Sequence, residues 1–253
     1  MTSIENHSIA ENILQKSYVI RSYEVDADGR LSLPSIFNLL QDAASSHALE
    51  LGVAVPQLLA NNHTWVLSRI FLNMDQYPGW GDDIQITTWP SGIERVFAMR
   101  DFDIRQHGES IGSCVSAWII IDTASRRPVR PTSFAHQLNP VDKRIQIHPL
   151  NKLPELKKPQ FEKQFTVRYS DLDINRHVNN ASYIEWLLEC VPNIGRKDRC
   201  LVELEVNFLG EALFQDAILA RCRLLDDTGS HAAHDVLRPS DGRELIRART
   251  RWQ

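Results

Sequence analysis

The sequence predicts an α+β protein made of two tandem copies of one unit, each a buried helix followed by long antiparallel strands. Two observations carry this. The first is an internal repeat: Ser182-Tyr183-Ile184-Glu185-Trp186-Leu187-Leu188-Glu189 lines up with Ser35-Ile36-Phe37-Asn38-Leu39-Leu40-Gln41-Asp42 at an offset of 147, and Gly242 to Trp252 lines up with Gly108 to Trp118 at an offset of 134. The second offset also carries Asn73 onto Asn207, Asp82 onto Asp216 and Ile84 onto Ile218, so the second copy lacks about 13 residues between its helix and its next strands. The second observation is that, in each copy, apolar residues at helical spacing give way to alternation.

In the first copy Ile36, Phe37, Leu40, Ala44 and Ala48 fall on one helical face, Ser32 is a suitable N-cap, and Pro34 is tolerated in the first turn. The turn-rich YPGWGDD launches a strand marked by Ile84, Ile86 and Trp89, and Ile111, Val115, Ala117, Ile119 and Ile121 mark a longer one. His136 to Gln160, containing PVDKR and HPLNKLPELKKPQ, has little periodicity and is expected to link the copies. In the second copy Tyr183, Ile184, Leu187, Leu188 and Val191 repeat the helical face, with Ser182 and Glu185 in a capping-box pattern. Val202, Leu204, Val206 and Phe208 then alternate with Glu203, Glu205 and Asn207. Both helices are apolar enough to predict burial on more than one side. A long helix wrapped by a long-stranded antiparallel sheet, present twice, is a double hotdog. The expected division is an N-terminal tail over 1–16, an N-terminal hotdog over 17–135, a linker over 136–160 and a C-terminal hotdog over 161–253.

The chain has 253 residues, 43% of them hydrophobic and 24% charged, which describes a soluble globular protein with material for a real core. A net charge of −4 argues against a general nucleic-acid or membrane binder. Cys114, Cys190, Cys200 and Cys222 form no CxxC or Cys/His spacing, so no metal site is expected and the thiols are read as reduced. MTSIENHSIAENILQ has neither the basic nor the apolar region of a secretory signal, and no apolar run approaches membrane-spanning length. A cytoplasmic protein is the expectation.

The stretch RYSDLDINRHVNNASYIEWLLE (168–189) places two Asp, three Asn, one His and one Arg in the ten positions from Asp171 to Asn180, at the approach to a buried helix. It resembles the signature of the acyl-ACP thioesterases. TWVLSR (64–69), YPGWGDDIQITTWP (77–90) and WIIIDTASRRPVRP (118–131) resemble that family's N-terminal half, and the similarity runs from about Tyr18 to Trp252. The resemblance implies hydrolysis of fatty acyl-ACP to free fatty acid and holo-carrier, without cofactor, with acyl carrier protein as partner. It implies functional positions at Asp173, Asn175 and His177, and at Glu211 in NFLGE (207–211). Many plant members have a cysteine after that glutamate. Here Ala212 follows, which speaks against a cysteine nucleophile.

Thioester hydrolysis needs an activated water and a stabilised oxyanion, because the thiol, with a pKa of roughly 8.5, leaves readily. Glu211 is expected to be the general base or water holder and Asp173 its orienting partner. His177 is expected to polarise the carbonyl or assist the thiolate, and the residue that moves the proton stays open. Main-chain N–H groups at the helix start, helped by Asn175 or His177, would form the oxyanion hole. The repeat offsets place Asp26, Asp28, Arg30 and Tyr77 opposite Asp173, Asn175, His177 and Glu211, so one active site per chain is expected, with the first copy shaping the acyl pocket.

Simpler roles are expected elsewhere: Asn179 and Asn180 as helix caps, Asp171 as a turn-former, and Trp65, Trp80, Trp89, Trp118, Trp186 and Trp252 chiefly as packing. Arg126-Arg127 with Arg130, Lys157-Lys158 and Arg196-Lys197 are basic surface clusters, any of which would suit an acidic carrier. Two rival functions stay open: an acyl-CoA thioesterase on the same scaffold, and a non-catalytic acyl-carrier or fatty-acyl binding protein. Neither nucleic acid nor membrane is an expected partner, and the oligomeric state is expected to be monomer or homodimer.

Overall fold

The structure, a computed structural model, describes residues 12–145, 148–192 and 199–253, so the Arg196-Lys197 cluster lies outside the described residues. Helix α1 (Leu33–Glu50) starts where the sequence indicates: the Ser32 hydroxyl accepts from the Ser35 N–H, and Pro34 sits in the first turn. Its buried residues, Leu33, Ile36, Phe37, Leu39, Leu40, Ala43, Ala44 and His47, occupy more than one face. Each large apolar side chain so buried contributes roughly 1.5–3 kcal/mol. Short helices follow at α2 (Val55–Leu59) and α3 (Ala135–Leu138). The second long helix, α4 (Asn180–Glu189), corrects one expectation. Its cap is Asn179, whose side-chain oxygen accepts from the Ala181 N–H, and Ser182 already lies in the first turn rather than at the start of a capping box. Asn180 also lies inside the helix and hydrogen-bonds Gln41 across to α1.

The strands are β1 (Leu14–Val19), β2 (His63–Met74), β3 (Asp83–Glu94), β4 (Phe97–Gln106), β5 (Glu109–Asp122), β6 (Pro128–Val129), β7 (Phe161–Thr166), β8 (Leu201–Phe208), β9 (Ala217–Leu224), β10 (His231–Arg238) and β11 (Arg243–Trp252). In the described residues they form one antiparallel sheet in the order β1-β3-β4-β5-β2-β8-β11-β10-β9-β7, with β6 on β5. The order reads the same from both ends. β1 pairs β3 as β7 pairs β9, and the two halves meet where β2 pairs β8. At that seam Phe71 faces Glu205, which are each other's repeat equivalents at offset 134, so the pseudo-twofold relating the halves passes between them. β1 begins at Leu14, inside the stretch the sequence assigns to the tail. Helices α1 and α4 touch each other on one face of the sheet.

The connection between halves runs along the opposite face. Lacking a ladder of its own, it gives its backbone groups to sheet side chains. The Ile145 N–H donates to Asp101 (2.8 Å), Arg69 donates to the Leu150 carbonyl, the Leu153 N–H donates to Asn207 (2.7 Å), and Arg247 donates to the Leu153 carbonyl (2.9 Å). Among the described residues no helix is long and apolar enough to cross a membrane.

Candidate active site

The approach to α4 is held by two aspartates. Asp171, buried, accepts from the main-chain N–H of Arg168 (2.7 Å) and from its guanidinium (2.8 Å), while its own carbonyl receives the Asn179 N–H (2.8 Å). Asp173 then closes a tight turn. Its Oδ1 accepts the N–H groups of Asn175 (2.8 Å) and His177 (3.1 Å), and its N–H donates to the His177 carbonyl (2.8 Å). Arg176 adopts the left-handed region (φ 63°), and Leu172 bridges to Val178. The turn thereby exposes Ile174 to Arg176 and returns His177 toward the helix start.

Glu211 arrives from the other direction, just past β8. Gly210 permits this path: a Cβ there would lie 2.9 Å from Arg243 Nε and 3.1 Å from a Leu245 methyl. The Ala212 N–H donates to the Tyr183 hydroxyl on α4 (2.8 Å), and the Ala212 carbonyl receives the Val178 N–H (3.2 Å). Burial pushes the Tyr183 phenol well above its ordinary pKa, so it serves as a neutral anchor. These bonds tie the glutamate to the turn.

The result brings His177 and Glu211 together, with His177 Nε2 3.5 Å from Glu211 Oε2. The expected Asp173–Glu211 partnership is not found: the Asp173 carboxylate is occupied by its own turn, with Asn175 Nδ2 at 3.4 Å. Within the turn the main-chain N–H groups are already used. The N–H groups of Asn175 and His177 are taken by the Asp173 side chain, and that of Arg176 by the Asp173 carbonyl (3.0 Å). The side chains of Asn175 and His177 remain as donors on the turn. Sequence reasoning missed Arg126, assigned to a solvated surface cluster. Its guanidinium donates to the same Glu211 Oε2 from the turn between β5 and β6. Among the described residues Glu211 Oε1 has no hydrogen-bond partner.

Beside this turn lies an apolar cavity of about 210 Å³, lined by Ala44 and Ala48 of α1 with Trp65, Trp118, Arg100 and Ile174. Ile174 is exposed and belongs to the Asp173 turn, so it marks the mouth; Arg100 is buried and lies deep. Trp65 and Trp118 therefore line a cavity, while Trp89, Trp186 and Trp252 are buried and Trp80 is exposed. The pseudo-equivalent place in the first half holds a separate cavity of about 340 Å³. There Arg30 stands for His177 and approaches Cys200 Sγ (2.9 Å), and Tyr77 stands for Glu211 and donates to the Leu201 carbonyl (2.6 Å). Of the two turns, the second alone carries a histidine–carboxylate pair.

A double hotdog with one such pair beside an apolar cavity defines the class, a protein of the hotdog fold. Residues 11–133 match the family model of the acyl-ACP thioesterase N-terminal domain, and residues 155–253 match that of the acyl-ACP thioesterase C-terminal domain. The chain belongs to the acyl-ACP thioesterase family. A palmitoyl-acyl carrier protein thioesterase of Gossypium hirsutum is 30% identical over 264 residues, covering 95% of this chain and 64% of the relative, so the chain spans just under two thirds of that protein. Among solved structures, the 12:0-ACP thioesterase of Umbellularia californica superposes with a TM-score of 0.85 at 25% identity, covering 98% of this chain and 99% of its own. An acyl-ACP thioesterase of Bacteroides thetaiotaomicron gives 0.82 at 26% identity, covering 96% and 98%.

Proposed function

We propose that the protein hydrolyses the thioester of fatty acyl-ACP, releasing free fatty acid and holo-carrier. The observation that carries this reading is the His177–Glu211 pair (3.5 Å) on a turn whose Ile174 lines the mouth of an apolar cavity. The acyl chain lies in that cavity, in the first half, and the thioester sits at the turn. Glu211 holds the lytic water through Oε1 and takes one of its protons as the oxygen attacks the carbonyl carbon. His177 and Asn175 donate to the developing oxyanion. Collapse of the intermediate breaks the C–S bond, and the thiolate takes the proton from Glu211. Asp173 acts by shaping the turn that presents His177. Family membership supports the substrate class. The proposed compartment is the cytoplasm, where thiols such as the free Cys114, Cys190, Cys200 and Cys222 stay reduced. Both parts of the site come from one chain, which suits a monomer or a homodimer.

Thiol release from acyl-ACPs and matching acyl-CoAs, with wild type and Glu211→Ala, tests the reading. The expected outcome is a preference for the ACP substrates and a loss of roughly 10²–10⁴ in turnover for the variant. Preference for CoA would make this an acyl-CoA thioesterase, and binding of acyl-ACP without thiol release would make it a binding module.

A further inference from the structure

We propose that Arg126 is a positioning residue for Glu211, supplied by the first half of the molecule to the site in the second. The inference rests on the reading of Glu211 as the base. Three observations carry it. The Arg126 guanidinium donates to Glu211 Oε2, the oxygen that also faces His177 Nε2 at 3.5 Å. With the guanidinium holding Oε2, the carboxylate is kept in one orientation and Oε1 is left for water.

The arginine is itself held by a built turn. Asp122 accepts from the Ser125 N–H (2.7 Å) and hydroxyl (2.7 Å), the Arg126 N–H donates to the Asp122 carbonyl (2.9 Å), and the Thr123 N–H donates to the Asn62 carbonyl (2.8 Å), which ties the turn to the start of β2. Finally, Arg126 sits at φ 58°, in the left-handed region that favours glycine. The backbone there gains nothing from an arginine, whereas the side chain reaches across 85 residues of sequence to Glu211.

The pair is partly exposed, 50% at Arg126 and 32% at Glu211, so its contribution to folding is small and its effect belongs in turnover. A guanidinium is suited to this because it stays charged throughout the working pH range and presents a planar fork to a carboxylate. Nearby Arg238 acts elsewhere. It donates to the Glu211 carbonyl (3.2 Å) and pairs with Asp216 and Asp241, holding the main chain rather than the carboxylate.

The experiment compares wild type, Arg126→Ala, Arg126→Lys, Arg126→Gly and Glu211→Ala on one acyl-ACP and its matching acyl-CoA, with thermal melting of each. Expected for Arg126→Ala is a fall in kcat of roughly 30- to 100-fold on both carriers, the size of effect that misplacing a reacting group produces, with KM within about twofold. Arg126→Gly should lose the same turnover while melting as wild type, because the turn tolerates glycine. Arg126→Lys should recover part of the loss, and added ethylguanidinium should rescue Arg126→Ala but not Glu211→Ala. Unchanged kcat in Arg126→Ala, with Glu211→Ala inactive, overturns this inference alone. A raised KM for acyl-ACP with kcat intact and acyl-CoA unaffected also overturns it, making Arg126 a docking residue. Full turnover in Glu211→Ala, or no wild-type turnover on either carrier, removes the base reading and this inference with it.

Discussion

The turn at Asp26–Arg30 and the turn at Asp173–His177 are the same backbone object. In each, the aspartate Oδ1 accepts the N–H groups two and four residues on: 2.9 and 3.0 Å at Asp28 and Arg30, 2.8 and 3.1 Å at Asn175 and His177. In each, the aspartate N–H meets the carbonyl four residues on (2.7 and 2.8 Å), and the residue three on is left-handed, Gly29 at φ 76° and Arg176 at φ 63°. The first turn has no histidine–carboxylate pair, yet it keeps its aspartate. The aspartate therefore builds the turn, and what distinguishes the two halves stands around it: His177 where the other half has Arg30, Glu211 where it has Tyr77. Arg126 sharpens the asymmetry by adding a cation from the first half to the second half's site.

The comparison breaks most sharply at the two aspartates. Asp26→Ala and Asp173→Ala each remove the acceptor for two N–H groups, and each should lower unfolding free energy by about 1–2 kcal/mol in urea titrations. Activity should separate them. Asp173→Ala should lose on the order of 10³ in kcat/KM, about 4 kcal/mol of transition-state stabilisation, because His177 is no longer presented. Asp26→Ala should stay within about threefold. Equal losses of activity would show that the first turn takes part in the reaction.

A second pair of equivalents lies in the core. Arg100 on β4 and His234 on β10 stand at the same place, both buried, beside a repeated contact in which Trp118 donates to Ser116 (2.9 Å) and Trp252 donates to Thr250 (3.0 Å). Burial lowers the Arg100 guanidinium only to about 10, so it stays a cation, with Thr88 (3.1 Å) and His47 (3.0 Å) as partners. Burial lowers the His234 imidazole to about 4, and Thr250 is its neighbour at 2.9 Å. The folded state thus keeps His234 neutral where an unfolded imidazole, with its ordinary value of 6.5, takes a proton. Its contribution is complete above pH 6.5 and is lost as pH falls through 4, roughly 3 kcal/mol in all. Unfolding at pH 7 and pH 4.5 should show this loss in wild type and a smaller one in His234→Gln. Equal losses would place the acid sensitivity elsewhere.

Much of this was legible in the sequence because it is local or repeated. The offsets carry β1 onto β7, α1 onto α4 and β5 onto β11, and the Ser32 cap needs only its own neighbours. The Ser182–Glu185 box failed because Asn179 offers an equally good cap three residues earlier. Its N–H is fixed by Asp171, a contact that the local pattern does not reveal. The bonding of Asp173 to its own turn was hidden for the opposite reason. Resemblance marks a position without saying whether its side chain meets the reaction or the backbone, and the other copy of the turn supplies that distinction. Arg126 was out of reach, since its partner depends on where the β5–β6 turn passes over the second half.

The smallest predicted effect concerns the cavity that Ala44 lines. The repeat places Ala44 of α1 opposite Val191 at the end of α4, and Ala43 opposite Cys190. In the second half Cys190 and Val191 are buried in the core, whereas in the first half the small side chain of Ala44 lines the cavity of about 210 Å³. Ala44 is thus the small side chain on this cavity wall where the other copy carries more bulk. Ala44→Leu restores that bulk and should shorten the acyl chain the protein prefers. Each methylene it displaces should cost about 0.8 kcal/mol, roughly fourfold in kcat/KM per carbon beyond the new limit. Rates over a ladder of acyl-ACPs measure this directly. A profile that falls for long chains and holds for short ones keeps the acyl chain in the first half, and an unchanged profile places it outside this cavity.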